Sequence, residues 1–341
     1  MEPLVYYYPQ GHAEHYETGH PERPERVEAL RRALNMAGWW EPYPRLSPAH
    51  VPDHVIQAVH SSNYLERLRQ ACRAGMHLDS DTYTKPASWE IAHSSAGGAL
   101  AVARAVWAQE ARRGFALTRP PGHHASREWG MGFCLLNNIA IAAEALRQDG
   151  NAKRLAIVDL DLHHGNGTQD IYWECGDVLY ISTHQWPLYP GTGGLEEAGA
   201  GSGRGATANF PLPPGSGDLA FQTVMQELIL PLLYRFEPEM LLVSFGFDPH
   251  WLDPLGHLQL SAAGYQSILS NLATWADDLC GGKIALFLEG GYNLDAGAAC
   301  AQAAVSALLG LAWKDPLGAS PRPEGKTWQA VLKQAQLIWE L

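Results

Sequence analysis

Residues 155–167, LAIVDLDLHHGNG, join a short apolar run to a segment dense in aspartate, histidine and glycine. A short apolar run with polar flanks is typical of a strand that is buried on both faces, as in a parallel sheet. The same arrangement occurs four more times along the chain. The predicted strands are 114–118, 155–158, 178–182, 240–244 and 284–288.

Helical patterns alternate with these strands, and the alternation predicts an α/β fold with a mostly parallel sheet. Ligands of such sheets bind at the carboxyl ends of the strands, so the polar segments should build one site. No repeat, low-complexity tract or Pro/Ser-rich linker marks a boundary, so residues 1–341 are expected to form a single domain. The predicted helices are 24–36, 88–110, 137–148, 219–234, 261–280 and 296–311.

Composition and charge exclude several classes of protein. Hydrophobic residues make up 46% of the chain, which is ample for a core, and the net charge is −12. Nucleic-acid-binding proteins usually carry a basic face, so no nucleic-acid partner is expected. The five cysteines include no CxxC pair, which argues against a disulfide framework and a cysteine zinc site. Neither a signal peptide nor a membrane-spanning apolar run is found, so a cytoplasmic protein is expected.

Asp161 and His163 give the strongest metal-binding signal. Side chains alternate along an extended segment, so Asp159, Asp161 and His163 point to the same side. One oxygen and one nitrogen ligand suit zinc, and Asp248, just past another predicted strand, is the best third ligand. Two aspartates and one histidine leave a position open for water, as a catalytic zinc requires. The alternative is that these side chains merely cap the following helix.

Two tandem histidines, His123 and His124, follow the predicted strand 114–118. A turn set by the preceding Pro-Pro-Gly can direct both rings inward. Two histidines beside a metal site are typical of general acid and base groups. Asp159 is placed to orient one of them, and Asn166 to hydrogen-bond the other.

Tyr292 lies in the glycine turn EGGYN, residues 289–293. The two glycines let the backbone turn tightly and bring the phenol to the metal. A phenol there can donate to the oxyanion of a tetrahedral intermediate. Taken alone, a tyrosine in a glycine turn is a weak signal.

Six motifs follow one another along the chain: RPPGHHA (119–125), GFCLLNN (132–138), DLDLHHGNGT (159–168), YPGTG (189–193), FGFD with DPLG (245–256) and EGGYN (289–293). In this order they resemble the motifs of the histone deacetylase family. They are most similar to its class II and bacterial branch, which includes acetylpolyamine amidohydrolases. The similarity extends from HPERPER, residues 20–26, to EGGYN and so covers most of the chain.

The resemblance implies a single-domain arginase–deacetylase fold with a sheet of about eight strands, flanked by helices. It implies one catalytic Zn²⁺ per chain and a structural monovalent cation, usually K⁺. The implied zinc ligands are Asp161, His163 and Asp248. The implied ligands of the second cation are the side chain of Asp159, main-chain oxygens of Asp161 and His163, and Ser182 and Thr183.

The same resemblance assigns roles around the metal. His124 would be the general base and then the acid that protonates the leaving amine. His123 would be its electrostatic partner, held by Asp159, and Tyr292 would polarise the scissile carbonyl.

The resemblance also assigns residues to the substrate channel. Phe133 and Tyr189 would line it, since two rings can enclose a methylene stem. Asp81 would hold the substrate backbone at the rim. Arg26 would line an internal cavity beneath the metal.

Single positions distinguish this chain from two related classes of enzyme, the arginase-type enzymes and the polyamine-selective relatives. Arginase-type enzymes use a DxHxD pattern to bridge two manganese ions, but no carboxylate follows His163 here, so a mononuclear site is expected. Some polyamine-selective relatives carry a gatekeeper glutamate where this chain has Leu255, which offers a distal ammonium no partner.

The chain is therefore expected to hydrolyse the amide of an acylated amine, most simply acetyl-lysine or a related acyl-lysine. Acetylpolyamine hydrolysis is the alternative. A non-catalytic module that binds acylated ligands is a less favoured alternative, because every catalytic position is intact. The sequence leaves the oligomeric state open.

Overall fold

The computed structural model describes residues 1–341 and contains an eight-stranded sheet in which every neighbouring pair is parallel. The strand order is β2-β1-β3-β8-β7-β4-β5-β6. The predicted α/β class and parallel sheet are thus confirmed. The strands are β1 (Glu2–Tyr7), β2 (Arg45–Leu46), β3 (Ala111–Ala116), β4 (Leu155–Asp159), β5 (Val178–Gln185), β6 (Thr207–Leu212), β7 (Met240–Phe245) and β8 (Ile284–Leu288).

Eleven α-helices flank the sheet. The predicted helix 219–234 is a continuous helical stretch in which five residues, Met225–Ile229, are π-helical between α7 and α8. The helices are α1 (Glu25–Met36), α2 (Asp53–Val59), α3 (Ser62–Ala74), α4 (Ser88–Trp107), α5 (Asn138–Gln148), α6 (Asn166–Tyr172), α7 (Asp218–Val224), α8 (Leu230–Phe236), α9 (Ala262–Cys280), α10 (Leu294–Leu309) and α11 (Trp328–Trp339).

Strand alternation divides the core into two layers, one on each face of the sheet. In β4, Ala156 and Val158 face the layer that contains α1, α9 and α10. Leu155 and Ile157 face the layer that contains α4 and α5. Both faces are apolar because helices cover both, as expected of a parallel sheet.

The five predicted strands are all present, but β1, β2 and β6 were not predicted. Pro211 lies within β6 and argues against a strand, because proline cannot donate to a neighbour. It is tolerated because β6 is an edge strand. The predicted strand 114–118 begins earlier, at Ala111. The polar Arg113 fits there because its buried guanidinium donates to Ala273 O and Asp277.

Candidate active site

Three buried side chains meet where the central strands β4 and β7 end. Asp161 and His163 follow β4, and Asp248 follows β7. The Nδ1 atom of His163 lies 3.2 Å from Asp161 Oδ1 and 3.2 Å from Asp248 Oδ2. No other three His, Cys, Asp or Glu side chains bring their ligand atoms within 4.8 Å of one another.

The donor set fits a divalent cation. Asp248 Oδ2 is buried and accepts no hydrogen bond, so this oxygen is free to bind a metal ion. Ligands of a tetrahedral zinc ion lie about 3.3 Å apart, given metal–ligand bonds of about 2 Å, which matches the separations of His163 Nδ1 from the two carboxylates. Burial opposes a charge on His163, yet the carboxylates of Asp161 and Asp248 raise its pKa to about 9. The site therefore favours positive charge at this point.

Backbone groups hold the two carboxylates in place. Asp161 Oδ2 accepts from Gly290 N at 2.8 Å, and Asp248 Oδ1 accepts from Leu162 N at 3.0 Å. A Cβ at Gly290 would lie 2.3 Å from Asp248 Oδ2 and 2.6 Å from Asp161 Oδ2. Only glycine therefore lets this backbone approach both carboxylates.

The tandem histidines lie beside this group and have opposite charge preferences. His123 Nδ1 lies 3.1 Å from Asp159 Oδ2, and His124 Nδ1 lies 2.7 Å from Asn166 Oδ1. Burial opposes a charge on His123, but Asp161 and Asp159 raise its pKa to about 10. Burial, and then the neighbouring His123, lower the pKa of His124 well below its ordinary value. The arrangement keeps His124 neutral beside a charged partner.

Glu289 fixes the turn that carries these histidines, which the sequence did not indicate. Its Oε2 atom accepts from Gly122 N at 2.6 Å and from His123 N at 3.1 Å. The side chain is fully buried. The turns RPPGHH and EGGYN are thereby joined by a carboxylate.

The ring of Tyr292 faces the space that His124 and His163 also face. The ring lies edge-on to Phe133, with 5.7 Å between centroids. Its other neighbour is Arg26, whose guanidinium carbon lies 4.9 Å from the ring centroid. Arg26 is fully buried and donates to Glu22 and to the carbonyls of Glu289 and Gly291. It therefore supports the tyrosine turn through these contacts and is not among the residues that line the channel. Its place at an internal cavity beneath the metal stays a prediction.

A cavity of about 440 Å³ opens from these groups to the surface. His124, His163 and Tyr292 form its floor. The predicted channel residues Phe133, Tyr189, Leu255 and Asp81 all line it, together with four that were not predicted, His20, Pro21, Gly132 and Leu188.

The walls of the cavity are aromatic on both sides of the floor. Tyr189 lies 5.2 Å from His124, centroid to centroid, and Phe133 lies next to Tyr292. The His20 ring lies edge-on to the Phe133 ring, with 4.6 Å between centroids. Its Nε2 donates to Asp81 O at 2.9 Å. The HPERPER segment thus contributes to the channel, whereas sequence reasoning singled out only its arginine.

Three of the residues expected around a monovalent cation lie close together. Asp159 on β4 is paired with Ser182 on β5, and both are fully buried. Thr183 Oγ1 donates to Asp159 O at 3.3 Å.

Comparison with known proteins agrees with this geometry. A sequence profile described as the histone deacetylase domain matches residues 20–308. The chain belongs to the histone deacetylase family. A family member from Archaeoglobus fulgidus, named "Probable deacetylase", is 41% identical over 278 residues, which cover 81% of this chain and 77% of that protein.

Two further family members cover more of the chain. The "Histone deacetylase-like amidohydrolase" of Pseudomonas aeruginosa is 39% identical over 303 residues, with 88% of this chain and 80% of the relative covered. A crystal structure of the HDA15 HD domain superposes with a TM-score of 0.90 at 34% identity, and covers 99% of this chain and 95% of that one.

This histone deacetylase family protein is accordingly a hydrolase of the deacetylase class. None of its helices is long and apolar enough to cross a membrane.

Proposed function

We propose that the protein is a zinc-dependent deacylase that hydrolyses the amide of acetyl-lysine or a related acyl-lysine. The single observation that carries this proposal is the floor of the cavity. There His124, Tyr292 and His163, the histidine of the Asp161–His163–Asp248 group, line the space that an acyl group would fill.

Zinc would be held by Asp161, His163 and Asp248, and when bound it would polarise a carbonyl and lower the pKa of water. A structural K⁺ near Asp159, Ser182 and Thr183 is part of the same proposal. It is supported by the burial and proximity of these three residues.

His124 would move the proton. With its Nδ1–H donating to Asn166, its Nε2 holds a lone pair and can accept a proton from the attacking water. Burial and the charge of His123 lower the pKa of His124, so its protonated form readily gives up the proton. The proton then passes to the leaving amine, and neutral His124 is restored.

Tyr292 would donate a hydrogen bond to the carbonyl oxygen as negative charge develops on it. Burial raises the pKa of Tyr292 well above its ordinary value, so the phenol keeps its proton. An interaction that strengthens as charge grows lowers the barrier more than it improves substrate binding.

The substrate class follows from the channel. Phe133 and Tyr189 offer two rings to a methylene stem without demanding a charge. Leu255 at the mouth gives a distal ammonium no partner, which favours acyl-lysine over an acetylpolyamine.

The test is a comparison of the zinc-loaded protein on acetyl-lysine peptides, longer acyl-lysine peptides and acetylated polyamines. Acyl-lysine peptides should be hydrolysed most efficiently. Tyr292→Phe keeps the ring and should lower kcat about a hundred- to a thousandfold with little change in KM. Preference for the polyamine would overturn the substrate assignment, and binding without turnover would favour a non-catalytic module. Near-native kcat in Tyr292→Phe would exclude the oxyanion role.

A further inference from the structure

Asp253 lies on the same loop as Leu255, and its side chain reaches the loop that carries Tyr292. Its side chain is only 6% exposed, and both carboxylate oxygens are occupied by backbone donors. Oδ2 accepts from Tyr292 N at 2.6 Å and from Asn293 N at 3.1 Å. Oδ1 accepts from Leu255 N at 3.1 Å. A single carboxylate therefore fixes the backbone at the floor and at the mouth of the channel.

We propose that Asp253 is a positioning residue for the deacylation, which acts by holding the hydroxyl of Tyr292 at the place where the oxyanion forms. The proposal rests on the function proposed above for Tyr292. Each hydrogen bond from a backbone N–H fixes the position of that group in the fold. Two of the three bonds to Asp253 restrain the backbone at Tyr292 and Asn293, and the third ties this turn to the loop of Leu255.

Tyr292 needs such an anchor because its hydroxyl makes no hydrogen bond within the protein. The phenol can therefore be aimed only through its backbone and through its packing against Phe133 and Arg26. On the side that precedes it, Gly291 has φ +109°, which glycine adopts readily, and its carbonyl accepts from Arg26. On the side that follows, Asn293 caps α10 through Ala296 N at 2.9 Å. Asp253 holds the two backbone N–H groups between the glycine turn and this helix.

An asparagine side chain at position 253 would have nearly the shape of the aspartate, but it would present an NH₂ donor where the aspartate has an acceptor oxygen. An amide has one acceptor oxygen and one NH₂ group, whereas Asp253 uses both of its oxygens as acceptors. The NH₂ group must therefore face either Leu255 N–H or the pair Tyr292 N–H and Asn293 N–H. Asp253→Asn is thus close to isosteric, yet it places a donor against a donor.

The experiment is a double-mutant cycle with Tyr292→Phe. Asp253→Asn should lower kcat about ten- to a hundredfold in the otherwise native protein, which is part of the cost of losing an oxyanion donor. In the Tyr292→Phe background the same change should lower kcat by less than about threefold, because residues that act through one group are not additive. Bound metal, measured per chain, should be unchanged by Asp253→Asn.

Asp218→Asn is the matched control. Asp218 also accepts from a backbone N–H, that of Ser261 at 2.7 Å, but it contacts no residue of the site. Its replacement should change kcat by less than about twofold in either background, whatever it does to stability.

An equal loss of kcat from Asp253→Asn in both backgrounds, or a native kcat in the single variant, would overturn the proposal. Neither result would bear on Tyr292 itself, which the single variant Tyr292→Phe tests separately. If Asp253→Asn does not fold, Asp253→Ser keeps one acceptor oxygen, and its hydroxyl proton can rotate away from the backbone N–H groups. It should show the same dependence on the Tyr292 hydroxyl, and its absence would equally refute the inference.

Discussion

The floor and the mouth of the channel are built in different ways. At the floor, Asp161 and Asp248 are almost fully buried, directly follow central strands, and accept hydrogen bonds from backbone amides. At the mouth, Tyr189 is 40% exposed and Leu255 is 36% exposed, and both lie on loops. The difference indicates that the sheet fixes the reaction, whereas loops that can vary without disturbing the sheet determine which acylated amine enters.

The largest expected effect lies at the floor. Asp248→Asn removes one ligand charge while it keeps the shape of the side chain. We expect bound zinc to fall from about one ion per chain to well below one, and turnover to fall by about three orders of magnitude or more. Metal analysis and activity assays check this.

Asp81→Asn at the mouth is the matched control for that change. It should leave the zinc content native, because Asp81 is not part of the ligand group. Full zinc content in Asp248→Asn would contradict the ligand assignment. Two tightly bound divalent ions in the native protein would contradict a mononuclear site.

A smaller effect concerns the stability of the segment that follows the tandem histidines. His60 is fully buried, and its Nε2 accepts from Asn137 N at 2.9 Å while its Nδ1 donates to Ser126 O at 2.8 Å. Burial lowers the pKa of His60 to about 4. Between about pH 4 and pH 6.5 the unfolded state binds the extra proton, so stability falls with decreasing pH. This one group should lower the free energy of unfolding by about 2 kcal/mol between pH 7 and pH 5.

Chemical denaturation at the two pH values measures this cost. His60→Gln carries no titrating group, so it should lose less stability between pH 7 and pH 5 than the native protein does. An identical loss in both proteins would mean that His60 is not the group responsible.

The smallest effect is expected at the mouth. Leu255→Glu places a carboxylate where a distal ammonium of a polyamine would lie. Because Leu255 is partly exposed, the gain should be about 1 kcal/mol or less, seen as a shift in the kcat/KM ratio of acetylpolyamine to acetyl-lysine peptide. Leu255→Gln, of similar size but neutral, should leave that ratio near its native value. A shift of equal size in both variants would attribute the effect to polarity and not to charge.

A feature of the molecule was predictable from the sequence when the residues that define it lie close together along the chain. The stretch DLDLHHG indicated a buried strand and two metal ligands at once, because alternation and ligand chemistry operate over a few residues. Glu289 and Asp253 gave no such signal, since their partners lie 167 and 39 residues away along the chain. β6 was missed because Pro211 is acceptable only at a sheet edge, which tertiary structure decides. Substrate choice and a cytoplasmic location stay predictions.

The pairing of β3 with β8 has a consequence for how the protein is made. Thr118, just after β3, donates to Leu288 at the end of β8 across 170 residues of chain. At typical synthesis rates β3 therefore leaves the ribosome roughly ten to thirty seconds before its partner exists. Until then β8 cannot pair with β3 and β7 at the centre of the sheet. The turn that carries His123 and His124 also lacks both Glu289 and Tyr292. We expect the nascent chain to gain hydrolytic activity only after β8 has emerged and entered the middle of the sheet.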